Sequence, residues 1–170
     1  MSLEIIAAPA HPKNFSARPA SAKIGAVIYH DTGGTAASAV AWFQNPASGV
    51  SAHYIVAADG KIYNPVPEDK KAWHAGASIL WNEPDLNAWS IGIELEDTDD
   101  RAPYPAVQIA SLLDLAAEIS ARRRIPLHAH VGHQHIAVPK GRKVDPAGDF
   151  DWYWYLNALG HRLHARGGPL

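Results

Sequence analysis

The chain has 170 residues, 47% hydrophobic and 19% charged, with a formal net charge of −2. That length suits one domain with a substantial core, and the charge balance gives no basic footprint for nucleic acid. Cysteine is absent while histidine occurs ten times. Disulfides and thiolate zinc sites are thereby excluded, and imidazole and carboxylate remain as the metal-binding side chains.

The first 23 residues, rich in Pro, Ala and Ser, are expected to form an extended arm over the surface, ahead of a domain spanning 24–170. "KIGAVIYHD" (23–31) is an apolar, β-branched run that predicts a buried strand ending at His30. A helix follows over 35–46, with Thr35 as its cap and Pro46 as its stop. "SAHYIVAADGKIYNPVP" (51–67) predicts a hairpin turned by Asp-Gly. "KAWHAGAS" (71–78) reads as a strand edge running into a loop, and 89–95 as a strand on which Ser, Gly and Glu alternate with Trp and Ile. Apolar residues at 109, 112, 113, 116 and 119 give helical spacing across 104–124, with three arginines at the negative end of the helix dipole. A strand over 125–133 then delivers His133 to its end. A last helix spans 149–165, capped by Asp149 or Asp151. The order predicts a single mixed α/β domain with helices flanking a central sheet.

The chemistry concentrates in "HAHVGHQHIAVPKGRKVDP" (128–146). A catalytic zinc takes three protein ligands and keeps one open position. Here the ligands must come from His, Asp and Glu, best placed where rigid strands end. His30 and His133 both close strands, and Asp145 follows His133 across a turn containing Pro and Gly. Lys143 shares a face with Asp145 in an extended segment. Glu94 sits in the otherwise apolar "SIGIEL", where a carboxylate requires a compensating partner.

Together "VIYHDTGG", "VSAHYIVAADGKIYN", "KAWHAGAS", "NAWSIGIELEDT" and "GHQHIAVPKGRKVDP" resemble the zinc-type N-acetylmuramoyl-L-alanine amidase family, over residues 24 to 152. That family includes muropeptide-recycling amidases, phage endolysins and peptidoglycan-recognition proteins. The resemblance implies one zinc ion held by His30, His133 and Asp145, with Lys143 stabilising an oxyanion and Glu94 acting on the zinc-bound water. Ala52 stands where another endolysin branch has a tyrosine, so the likeness is to the glutamate branch. It also implies hydrolysis of the bond between the lactyl group of N-acetylmuramic acid and L-alanine, with peptidoglycan or a muropeptide as the partner and the chain acting as a monomer. The N-terminus does not read as a secretory signal and no apolar run is long enough to insert in a membrane. The expected location is the cytoplasm, or the cell wall after lysis.

The chain departs from the recycling enzymes in three places. It has two more residues between His133 and Lys143, His135 where Asp is common, and no basic residues in "VAADG" or "SILWNEPDLN". Some assignments have rivals. Glu96 shares a strand face with Glu94, and period alone does not choose between them; His135 competes with His133. His128 and His130 alternate on one strand face and read as supporting or core groups. Asp31, His53, Trp73 and His74 are expected around a substrate cleft, the two histidines either hydrogen-bonded to a ligand or to substrate or simply packed. The rival functions are a non-catalytic peptidoglycan-binding module and an unrelated metalloprotease, the latter disfavoured by the lack of a His-Glu-x-x-His helix.

Overall fold

The computed structural model describes residues 3–98, 102–147 and 150–170. The strands are β1 (Ile5–Ala7), β2 (Phe15–Ala17), β3 (Ala26–Asp31), β4 (Tyr54–Val56), β5 (Ile62–Asn64), β6 (Lys70–Ala72), β7 (Ile79–Leu80), β8 (Glu83–Pro84), β9 (Ser90–Leu95) and β10 (His130–Gly132). The helices are α1 (Ala36–Gln44), α2 (Leu86–Trp89), α3 (Ala106–Arg123), α4 (His133–Ile136) and α5 (Trp152–Ala165). The largest sheet has six strands in the order β1-β5-β4-β9-β3-β10. Its neighbours are parallel except for the β4–β5 hairpin, turned at Asp59-Gly60 as its sequence predicts. The sheet is therefore mixed, as expected.

Helices cover both faces of this sheet, and β4 shows how. Tyr54 and Val56 pack with α3 and α5, whereas Ile55 and Ala57 pack with Ala36, Ala39 and Phe43 of α1. Successive strand residues point to opposite faces, so the two helix layers lie on opposite sides. The same alternation on β9 sends Ile91, Ile93 and Leu95 into the α3/α5 core and turns Ser90, Gly92 and Glu94 the other way. The Thr35 side chain caps α1 by accepting from Ser38 N–H at 3.1 Å, and Asp151 caps α5 by accepting from Trp154 N–H at 2.9 Å. Asp149, the other candidate cap, lies outside the described residues.

The segment 125–133 is less regular than its sequence suggests. Pro126 starts a single turn over Leu127–Ala129, closed by Ala129 N–H on the Pro126 carbonyl, and only His130–Gly132 remain strand. His128 therefore does not share a strand face with His130; it lies in the turn beside Trp81. His130 is a core group. Tyr155 OH donates to Tyr29 OH (2.8 Å), Tyr29 OH donates to His130 Nδ1 (2.6 Å), and His130 Nε2–H donates to Ser120 Oγ (2.9 Å). Burial holds the His130 pKa at about 3, so the ring stays neutral and the chain of donors runs in one direction.

The N-terminal 23 residues contribute two strands, β1 beside β5 and β2 beside β6. They also supply Arg18, whose guanidinium donates to the backbone carbonyls of Glu68, Asn87, Ala88 and Ser90 at 2.7–3.0 Å. The buried Glu68 carboxylate is gripped by Arg122 (2.7 Å), Arg123 (2.8 Å) and Tyr54 OH (2.9 Å). The arginines at the end of α3 thus anchor a loop as well as meeting the helix dipole. Burial alone would raise the Glu68 pKa, but these donors override it and hold it at about 2. Glu68→Gln is expected to lower stability at neutral pH by about 2–3 kcal/mol, since charged hydrogen bonds in a buried setting are lost. The folded pKa lies below that of the unfolded chain, about 4.3. The difference from wild type is therefore complete above about pH 5 and closes as pH falls toward about 2. Denaturant unfolding of both proteins across this range measures it.

Candidate active site

In parallel sheets, functional groups gather at the carboxyl ends of strands. The register here does this directly. His30 and Glu94 are Cα partners on β3 and β9, and Gly132, partnered with Tyr29, places His133 at the same edge. Gly132 is a close-contact position, because a Cβ there would lie 2.8 Å from Pro146 and 2.9 Å from Trp152. The missing side chain lets the 145–147 segment fold back over the end of β10, which brings Asp145 to the two histidines.

His30, His133 and Asp145 present one donor atom each, all within 4.8 Å of one another. The Nδ1 atoms of His30 and His133 are 3.0 Å apart, and Asp145 Oδ2 lies 3.3 Å from the first and 3.0 Å from the second. The proton positions follow from the partners. His133 Nε2–H donates to the Ala75 carbonyl at 3.0 Å, leaving Nδ1 bare. Ser90 OH donates to the Leu86 carbonyl at 2.6 Å, so Ser90 Oγ accepts from His74 Nε2–H at 3.3 Å. His74 Nδ1 is then bare and accepts from His30 Nε2–H at 2.9 Å, which leaves His30 Nδ1 bare as well. Burial lowers the His30 pKa to about 4, keeping the ring neutral. Three lone-pair-bearing atoms thus converge at about van der Waals contact or closer, an arrangement that a cation relieves. Zinc with tetrahedral bonds of about 2.0–2.1 Å spaces its ligand atoms about 3.3–3.4 Å apart, close to the separations here.

These groups line a cavity of about 430 Å³ together with Asp31, Trp73, His74, Glu94 and Lys143. No donor among the described residues is hydrogen-bonded to the Glu94 carboxylate. Burial, reinforced by the Asp145 and Asp31 carboxylates and opposed by Lys143, raises its pKa well above the ordinary value. Glu96, its rival, does not line the cavity; its carboxylate accepts Ala58 N–H at 2.8 Å and steadies the β4–β5 turn. His135 turns away too. Its Nδ1 accepts Gly132 N–H at 2.9 Å, and its ring packs on Trp152. Lys143 sits on an exposed loop strapped down by Arg142, which donates to the carbonyls of Val138, Ala75 and Ala77 at 2.7–3.1 Å.

The four residues expected around a substrate cleft divide. Trp73 lines the cavity, its indole N–H donating to Ser16 Oγ at 3.3 Å. Asp31 lines it as well, but both oxygens are engaged, accepting from Tyr104 OH (2.6 Å) and Ala147 N–H. Burial raises its pKa to about 6 despite these donors. His53 needs correction as a cleft residue. It is fully buried, its Nδ1 accepts Gly92 N–H (2.9 Å), and its Nε2 lies against the Lys70 carbonyl and Arg18. His74 reaches the cavity but has both ring nitrogens committed inside the protein, to His30 and Ser90, which leaves none for substrate. The opposite wall was not foreseen from sequence. It comprises Ser38, Ala39, Trp42 and Phe43 of α1 with Val50 and Ser51, and Trp42 is 53% exposed. The helical pattern of "AWFQ" names no open side, so sequence carried no signal for this wall.

With this geometry in place, the family model described as N-acetylmuramoyl-L-alanine amidase matches residues 20–148. The chain belongs to that family. It is 43% identical over 103 residues to the 1,6-anhydro-N-acetylmuramyl-L-alanine amidase AmpD of Citrobacter freundii, covering 61% of this chain and 54% of the relative. The chain thus spans about half the length of that curated relative. It is 36% identical over 176 residues to N-acetylmuramoyl-L-alanine amidase A of Achromobacter lyticus, covering 92% and 93% of the two chains. A crystal structure of a selenomethionine AmpD derivative superposes with a TM-score of 0.80 at 30% identity, covering 94% of this chain and 99% of that one. This likeness shows the family fold, a mixed sheet between helix layers.

Asp31 joins the 145–147 segment to β3 and to Tyr104. Asp31→Ala leaves Ala147 N–H without its acceptor and is expected to lower unfolding free energy by about 1–3 kcal/mol. The measurement is a fall in denaturant midpoint at unchanged slope.

Proposed function

We propose that the chain is a zinc-dependent amidase that hydrolyses the amide between the lactyl carbonyl of N-acetylmuramic acid and L-alanine, in peptidoglycan or muropeptides released from it. The observation that carries the reading is the meeting of two bare imidazole nitrogens and a carboxylate beside a Glu and a Lys, at one end of the sheet. Family membership and the amidase activities for which the relatives are named support it. His30, His133 and Asp145 would hold the ion. Bound there, zinc supplies Lewis acidity, lowering the pKa of water toward about 7 and polarising a carbonyl.

The remaining roles fall to the protein's own groups. Glu94 accepts the proton of the attacking water and returns it to the amine of the departing L-alanine peptide, so the C–N bond breaks with its proton balance closed. A base for this step works best with a pKa near the operating pH, and burial moves Glu94 upward from the ordinary carboxylate range, in that direction. Lys143 places an ammonium where the carbonyl oxygen gains charge, an effect worth roughly 3–4 kcal/mol per donor at such sites. Trp73, Trp42, Phe43 and Val50 offer an aromatic and aliphatic wall on which the sugar and the stem peptide can lie.

The test is incubation of zinc-loaded protein, side by side, with sacculi and with soluble anhydro-muropeptides, reading newly freed L-alanine amino termini. Release from either substrate is expected; none from both overturns the reading. Asp145→Ala should lose zinc by elemental analysis, and retention of one ion per chain would count against this ligand set. Glu94→Gln should keep zinc and fold while turnover falls by about two orders of magnitude or more.

A further inference from the structure

His74 and its neighbour Ala75 lie behind the metal cluster, each touching a different one of its histidines. His74 Nδ1 is 2.9 Å from His30 Nε2, with the two rings nearly perpendicular at 80°. The Ala75 carbonyl takes the Nε2–H of His133 at 3.0 Å. One two-residue segment therefore fixes the protonation of both imidazoles, and its own position is set from behind. Asn87 Oδ1 accepts both backbone amides, His74 N–H at 3.0 Å and Ala75 N–H at 2.7 Å. The His74 ring lies flat on Gly92, where a Cβ would stand 2.4 Å from its Cγ. Its far nitrogen is held by Ser90 Oγ, whose own proton is committed to the Leu86 carbonyl.

We infer that His74 is a positioning residue for the ion site: it accepts the Nε2–H of His30, holds that ring with Nδ1 bare and aimed at His133 and Asp145, and is itself kept in the accepting tautomer by Ser90. This rests on the metal-binding reading above. The face of β9 is built for it. Ser90 supplies the acceptor, Gly92 the space and Glu94 the cavity carboxylate, at alternate residues of one strand. A ring nitrogen outside a metal's coordination sphere commonly meets a fixed acceptor, which orients the ligand and raises its basicity. Here the acceptor is a third imidazole whose tautomer is itself specified.

The experiment measures zinc affinity by chelator competition in wild type, His74→Phe, His74→Asn and Ser90→Ala, with thermal unfolding of the metal-free proteins alongside. Nitrogen NMR of the metal-free proteins reports the His30 tautomer. His74→Phe keeps a ring but removes the acceptor, and zinc affinity is expected to fall about 10- to 100-fold. His74→Asn carries an amide oxygen close to the place of Nδ1 and should recover most of that loss, which a merely space-filling role would not produce. Ser90→Ala leaves the packing of His74 in place and should weaken zinc about 2- to 10-fold, with His30 Nε2–H no longer the sole tautomer. Unchanged affinity and tautomer in folded His74→Phe overturn the inference. Should that variant not fold, unchanged values in Ser90→Ala overturn it. Wild-type protein that binds no zinc would instead remove the metal-binding reading itself, so the two failures are distinguishable.

Discussion

The register of β9 on β3 is the constraint on which the site depends. Six consecutive pairs, from Ala26 with Ser90 to Asp31 with Leu95, bring His30 level with Glu94 at the carboxyl edge. A slip of one residue would invert β9, turning Ile91, Ile93 and Leu95 toward the cavity and Ser90, Gly92 and Glu94 into the α3/α5 core. The apolar face of β9 thus guards the polar one. Burial of three branched residues in a packed core is worth several kcal/mol, and that term specifies the position of a carboxylate it never touches. On the other flank of β3, β10 is only three residues long, yet its parallel pairing is sufficient to present His133 at the same edge.

Two polar networks divide the interior, and both are directional. On the α3/α5 side, Tyr155, Tyr29, His130 and Ser120 pass hydrogen bonds in sequence within the core. On the other side His30, His74, Ser90 and Leu86 do the same, starting at the His30–His133–Asp145 cluster and ending on the Leu86 carbonyl. A buried polar group left without a partner is destabilising, whereas a satisfied chain rigidifies its members. The first network tells the sheet how to sit against its helices. The second tells two imidazoles, His74 and His30, which nitrogen carries the proton.

Much of this could be read from the sequence, for physical reasons that differ by element. The buried strand 26–31, the Asp-Gly hairpin and the long amphipathic α3 announce themselves through pattern and turn chemistry, which local sequence controls. Glu94 could be told from Glu96 only by likeness to the family, because two-residue alternation treats them alike; the structure separates them by what lies opposite each. The β7–β8 turn is not legible in the sequence because its two tip residues, Trp81 and Asn82, adopt left-handed backbone angles, φ 52° and 68°, without a glycine to signal them. Sequence treats His53 and His74 alike, because neither motif nor spacing states which ring nitrogens the fold will consume; of the two only His74 lines the cavity. The α1 wall was likewise hidden, since helical periodicity says which side is buried and not what the other side overlooks.

Arg18 lies ahead of residue 20, where the family model's match begins, yet its guanidinium meets four main-chain carbonyls, one at Glu68 and three along residues 87–90. One of those carbonyls belongs to Ser90, the residue whose hydroxyl oxygen accepts from His74. A truncation placed at residue 20 would therefore remove this cation and take from four carbonyl oxygens, two of them on the buried residues Glu68 and Ser90, the donor that ties them together.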